Sequence, residues 1–259
     1  MAQLDNRYAQ SGTAARAGAA VDEGLRAYML GVYNYMAAGV ALTGIVAYFV
    51  SSLATTTDPS LAMAQLANGV MLTQLGSTLY SSPLRWVVML APLGFVLFMS
   101  FRAQKMSVGA TQICFWLFAG LMGLSLSSIF LVFTGQSITQ IFFITAGAFA
   151  GLSLWGYTTK KDLSGWGSFL IMGVVGIIIA ALVNLFLQSG ALQFAISVIG
   201  LLVFAGLTAY DTQRIKDGYL LVRNDATMVA KSAIMGALSL YLDFINMFLF
   251  MLQLFGNRQ

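Results

Sequence analysis

Residues 232–257 read SAIMGALSLYLDFINMFLFMLQLFGN. These 26 residues decide the fold. A helix of roughly 20 apolar residues crosses the hydrocarbon core of a bilayer. The run carries one charge, Asp243, near its middle. A carboxylate at that depth is costly, so it is kept for a purpose: a bond to a neighbouring helix, or work at a functional site.

Outward from this segment the same character continues. The chain has 259 residues, 59% hydrophobic and 8% charged, with a mean hydropathy of +0.82. Soluble domains average about 25% charged residues. Residues 106–159 and 163–210 carry no charge. Each stretch exceeds one spanning helix and accommodates two. Backbone groups in lipid must be paired internally, so the spans are helices or a closed barrel. Continuous apolar runs, rather than alternation over about ten residues, exclude the barrel. The chain is an integral membrane protein of the all-α class.

Seven spans are expected near 27–53, 86–102, 108–133, 137–157, 166–187, 192–213 and 233–255. A polar N-terminal segment, 1–26, is read as a partly disordered cytosolic tail without a removable signal peptide. The transmembrane domain covers 27–259, with a polar outer loop at 54–85. The links at 134–136 and 188–191 are short enough to make their flanking helices tight antiparallel neighbours. With the N-terminus cytosolic, Arg7, Arg16, Arg26, Arg102, Lys105, Lys160, Lys161, Arg214, Lys216, Arg223 and Lys231 fall on the cytosolic side, and only Arg85 and Arg258 outside. That bias is the main topology signal available to sequence. It puts the C-terminus outside. A six-span arrangement with a re-entrant segment ranks second.

Composition removes whole classes of chemistry. There is no histidine and one cysteine, Cys114, so no zinc site can be assembled. Gly-rich stretches lack a GK[ST] ending, which excludes a phosphate-binding loop. The excess of basic residues follows topology and does not point to nucleic acid. Trp86, Trp155 and Trp166 fall at span ends, where indoles favour the interface. Gly147 and Gly151 form a GxxxG pair that permits close helix contact. The fourteen methionines read as flexible core fillers.

The last span carries a polar stripe. Ser232, Gly236, Ser239, Asp243, Asn246, Phe250 and Gln253 follow alternating steps of four and three, which places them on one helical face. The stripe must face other helices or a watery cavity, because lipid rejects it. Both readings stand, and the ionisable group favours the cavity. Gly236, Ser239, Asn246 and Gln253 are then candidates to line a pathway. One other acid can join Asp243: Asp211 in TAYDTQRIK, at the cytosolic end of the sixth span. In an antiparallel hairpin the two lie at similar depth. An alternative for Asp211 is a local pair with Arg214 one turn on. Two carboxylates in a poorly solvated site cannot both ionise easily and titrate as a unit. Such a pair suits a pH sensor or a hard-oxygen calcium site completed by Asn246, hydroxyls, carbonyls or water. Arg102, ending the second span, either snorkels to the interface or turns inward to pair with Asp211 as a latch.

Four segments make the chain familiar: APLGFVLFMSFR (91–102), GLSLSSIFLVFTG (123–135), AYDTQRIK (209–216) and ALSLYLDFINMFLFMLQLFG (237–256). From about residue 25 to its end the chain resembles the bacterial branch of the Bax inhibitor family, the transmembrane Bax-inhibitor-motif proteins. The resemblance implies seven helices with the last surrounded by the other six. It implies a pH-sensitive calcium leak that uses an aspartate pair on the last two helices, here Asp211 and Asp243. An arginine of the second helix pairs with the first aspartate; by span position it matches Arg102. No cofactor is implied; calcium and protons are the partners, along with the bilayer. The loop 54–85 and the connector 212–242 look long for the family. The cell-death role of eukaryotic relatives is not carried over.

Two rival readings remain. Some bacterial relatives are thought to bind a membrane protease or another membrane complex, without transporting anything. An intramembrane aspartyl protease would also need two membrane aspartates, but LYLD departs from that family's GxGD and no PAL motif follows. A retinal protein is disfavoured, since the last span has no lysine in its middle. The protein is therefore expected to be a non-enzyme of the bacterial inner membrane.

Overall fold

The computed structural model describes residues 2–66 and 69–258. Seven long helices dominate: α1 (Ala2–Ala54), α2 (Leu84–Arg102), α3 (Val108–Leu126, continued by a 3₁₀ stretch to Leu131), α4 (Gly135–Thr158), α5 (Ser164–Leu187), α6 (Gly190–Val222) and α7 (Ala226–Phe255). Each is long and apolar enough to cross a membrane, α1 from Asp22 onward. The all-α membrane architecture is therefore as the apolar runs require.

Several boundaries differ from expectation. The N-terminal segment expected to be loose continues α1 as helix from Ala2. The polar stretch 214–232 is not a connector. α6 and α7 extend into it, and only residues 223–225 link them. Asp225 caps α7 by accepting from the N–H groups of Thr227 and Met228, satisfying donors that a helix start leaves free. Helix propensity carried these polar segments, whereas hydropathy alone had marked them as loop.

The outer loop holds a small antiparallel sheet, β1 (Thr55–Thr56), β2 (Ala64–Gln65) and β3 (Met71–Leu72), in the order β1-β3-β2. It closes over the end of α1, where Thr73 N–H donates to the Ala54 carbonyl at 3.0 Å. The Tyr80 hydroxyl reaches Ser127 Oγ at 2.8 Å.

α7 is the most buried span. Of its apolar core 61% is buried, against 33% or less in every other span. It packs on α1, α3, α4 and α6. These four are its main neighbours; α2 lies mainly against α3, and α5 against α6, each only 11% buried. α7 sends aromatic side chains outward in several directions. Tyr241 meets Phe115 and Phe118 of α3 edge-on. Phe244 meets Phe142 and Phe149 of α4. Phe250 stacks at a tilt on Phe204 of α6. These are the offset and edge-to-face geometries that aromatic quadrupoles prefer.

Of the two short links, one behaves as expected. Gln188, in the left-handed region at φ 49°, caps α5 and turns the chain so that α5 and α6 pack as a hairpin. After the other link, α3 goes to α1 while α4 goes to α6 and α7. Gly147 and Gly151 face outward, with open space where a Cβ would stand. The close backbone approach is instead at Gly156, against the Ala209 carbonyl of α6.

Candidate functional site

Asp211 sits within α6 and Asp243 within α7, both buried, at 8% and 4% exposure. The packing of α6 against α7 brings them within electrostatic reach of one another and of Arg214. The Arg214 guanidinium lies 3.1 Å from Asp211 Oδ1 and 3.5 Å from Ser239 Oγ of α7. It also lies over the Tyr210 ring at 5.7 Å. Tyr210 is itself held by Gly167 of α5, where a Cβ would collide with its phenol. One arginine thus ties the first aspartate to the opposite helix. Asp243 Oδ2 is fully buried and has no hydrogen-bond partner among the described residues. A buried carboxylate oxygen left unsatisfied is a cost that a static structural role does not explain.

Of the two arginines expected near Asp211, Arg102 does not pair with it. Arg102 ends α2 exposed, and the ion pair of Asp211 is made with Arg214. The physical reason is location: α2 is an outer helix that packs on α3, away from the α6–α7 seam. The local pair, i to i+3 on one helix, is the arrangement formed.

The stripe faces α6 along much of its length, rather than a cavity favoured by its charge. Gly236 contacts Ile215, and Ser239 meets Arg214. The Phe250 ring lies against Gly200, which has no Cβ to obstruct it. Gln253 Oε1 accepts from Gln193 Nε2 at 2.8 Å and lies 2.9 Å from Ser197 Oγ. Ser232 reaches the Tyr28 hydroxyl of α1 at 2.9 Å. Asn246 donates to the Leu242 carbonyl of its own helix. Polar groups sequestered from lipid have therefore found helix partners, as membrane helix packing demands.

Sequence reasoning missed a relay of hydroxyls beside the aspartates. Tyr33 on α1 bonds Ser153 on α4 at 2.7 Å, Ser153 bonds Thr212 on α6 at 2.9 Å, and Thr212 donates to the Thr208 carbonyl at 2.7 Å. Gln213 pins the α4–α5 link to α6 through the Leu163 N–H and the Lys161 carbonyl. Thr212 and Gln213 stand in the quoted AYDTQRIK motif, and that polarity was the available signal.

A family model described as inhibitor of apoptosis-promoting Bax1 matches residues 25–259. The chain belongs to the Bax inhibitor family. Among family relatives, inner membrane protein YbhL of Escherichia coli strain K12 is 44% identical over 239 residues, spanning 91% of this chain and 94% of YbhL. An uncharacterized protein of Caulobacter vibrioides is 44% identical over 259 residues, the whole of both chains. An uncharacterized membrane protein of Streptococcus pyogenes is 36% identical over 166 residues, 63% of this chain and 70% of that one. No three His, Cys, Asp or Glu residues cluster among the described residues. Asp211 and Asp243 therefore offer two carboxylates, with a cation already beside them.

Proposed function

We propose that this protein is a passive, pH-sensitive cation leak of the bacterial inner membrane, with calcium the leading ion. The observation that carries the reading is the buried Asp211–Asp243 pair, with the half-exposed Arg214 on Asp211 and an unpartnered Asp243 oxygen. Two carboxylates and one arginine balance differently when a proton is added, because the arginine then loses one of the charges that hold it. The α6–α7 seam and the Arg214–Ser239 bridge would respond first. Calcium, as the transported substrate, would compete with the guanidinium for the same oxygens. Charge bias places the N-terminus in the cytosol, the aspartate pair near the cytosolic side and the C-terminus outside; the inner membrane placement draws on YbhL.

The test is calcium entry into liposomes holding the purified protein, measured across pH for wild type, Asp211→Asn and Asp243→Asn. The expected result is altered flux and a flattened pH profile in both variants. Wild-type behaviour in Asp243→Asn overturns the proposal. A second reading, a non-transporting regulator of a membrane protease or other membrane complex, is favoured by the way the stripe is occupied by α6. In that case no variant changes flux, and a detergent-solubilised pull-down recovers a partner.

A further inference from the structure

Away from the aspartates, α1 and α4 flank a cavity of about 600 Å³. Both helices pack on α7, and Phe149 on the groove wall contacts Phe244 of that helix. At the floor the Tyr33–Ser153 hydrogen bond joins the two helices. The walls are Met29, Leu30, Met36, Ala37, Ala150 and Leu154, with Arg26 and Tyr157 at one end. The lining runs from Arg26 to Ala37 along α1, which is about 16 Å at 1.5 Å per residue. That is about half of a ~30 Å hydrocarbon core, the depth of one leaflet.

The charged end is built for an anion. Arg26 is exposed and makes no ion pair among the described residues. Lys216 of α6 reaches the same end through Tyr157, donating to its carbonyl at 2.9 Å and lying over its ring at 5.7 Å. The acids one turn away on α1, Asp22 and Glu23, are exposed and hold neither cation. A one-leaflet apolar slot with Arg26 in its lining and Lys216 against its end residue Tyr157 matches one lipid chain below one anionic headgroup.

We infer that this groove binds an acyl chain of an anionic phospholipid, with the lipid phosphate held at Arg26 and Lys216. Neutral phospholipids present the same chains, so selectivity comes from the basic end; a single arginine near an anionic surface accounts for about a fivefold preference. The site is independent of the aspartate pair and of any transport.

The experiment uses full-length protein in micelles containing equal phosphatidylglycerol and phosphatidylethanolamine, with retained lipid identified by native mass spectrometry. Wild type is expected to retain phosphatidylglycerol about fivefold or more over phosphatidylethanolamine. Arg26→Gln is expected to lower that ratio towards one while total lipid is kept. Ala150→Trp, which fills the slot, is expected to lose both lipids. If Ala150→Trp does not fold, Ala37→Phe fills the opposite wall and serves the same purpose. Equal retention of the two lipids by wild type, an unchanged ratio in Arg26→Gln, or full retention in the filled variants overturns the inference.

Discussion

Of the two arginines that sequence offered to Asp211, Arg214 makes the contact and Arg102 does not. Both are basic and both lie near the same end of the bundle, and only packing separates them. Arg214 has an aspartate three residues back on its own helix and a serine across the seam; Arg102 is exposed at the end of an outer helix. Arg214 is half-exposed while Asp211 is buried, so the arginine compensates the aspartate from the solvent side of the seam. Arg214→Gln is expected to change the pH profile of calcium flux and to lower the melting temperature, because it leaves the Asp211 carboxylate uncompensated. Arg102→Gln is expected to leave the profile as it is. Flux assays on the two variants side by side check this; a shift with Arg102→Gln alone restores the α2 latch. The aspartates themselves were legible because a charge in an apolar run is conspicuous. The choice between Arg214 and Arg102 was not, because spacing identifies the residues available and not the side chain that turns inward.

At the scale of elements, hydropathy located every span, since lipid enforces the pattern. It failed at the α6–α7 link, where polar residues such as Lys216 and Lys231 are fully compatible with helix outside the hydrocarbon. It also failed for the glycines. GxxxG marked Gly147 and Gly151, whereas Gly156 is the residue pressed on another backbone. Gly156→Ala is expected to cost about 1–3 kcal/mol through overpacking, and Gly147→Ala essentially nothing. Thermal unfolding in detergent separates them. Tyr241→Phe removes the 2.7 Å bond to Thr43 and is expected to cost about 0.6–1.7 kcal/mol, the range for such bonds between membrane helices. In the outer loop, the Ser60 hydroxyl and N–H hold the Asp58 carboxyl below its ordinary value of 3.8. That depressed value means the loop cap is intact above 3.8 and is lost as the pH falls through it. Limited proteolysis of the loop is expected to quicken only at that acidic extreme, and at neutral pH in Asp58→Ala.

For the molecule as a whole, the charge bias makes a topological prediction. In a Cys114→Ser background, Ser60→Cys is expected to react with an impermeant maleimide added outside intact cells, and Lys160→Cys only after lysis. The reverse pattern inverts the orientation. The packing centre was only partly legible. The polar stripe marked α7 as inward-facing, but which four helices would touch it depends on aromatic fits such as Tyr241 against Phe118, which no spacing encodes.

The three-residue turn at 223–225 restricts how the two aspartate-bearing helices can move. With so little slack, and with Asp225 fastened to the next turn, α7 cannot slide along α6 like a piston without melting a helix end. Any separation of Asp211 from Asp243 must therefore be a scissoring about that turn, widest at the far ends, where Gln193 and Gln253 clasp. Spin labels at the two ends of the pair would register a small displacement beside the turn and a large one beside the clasp.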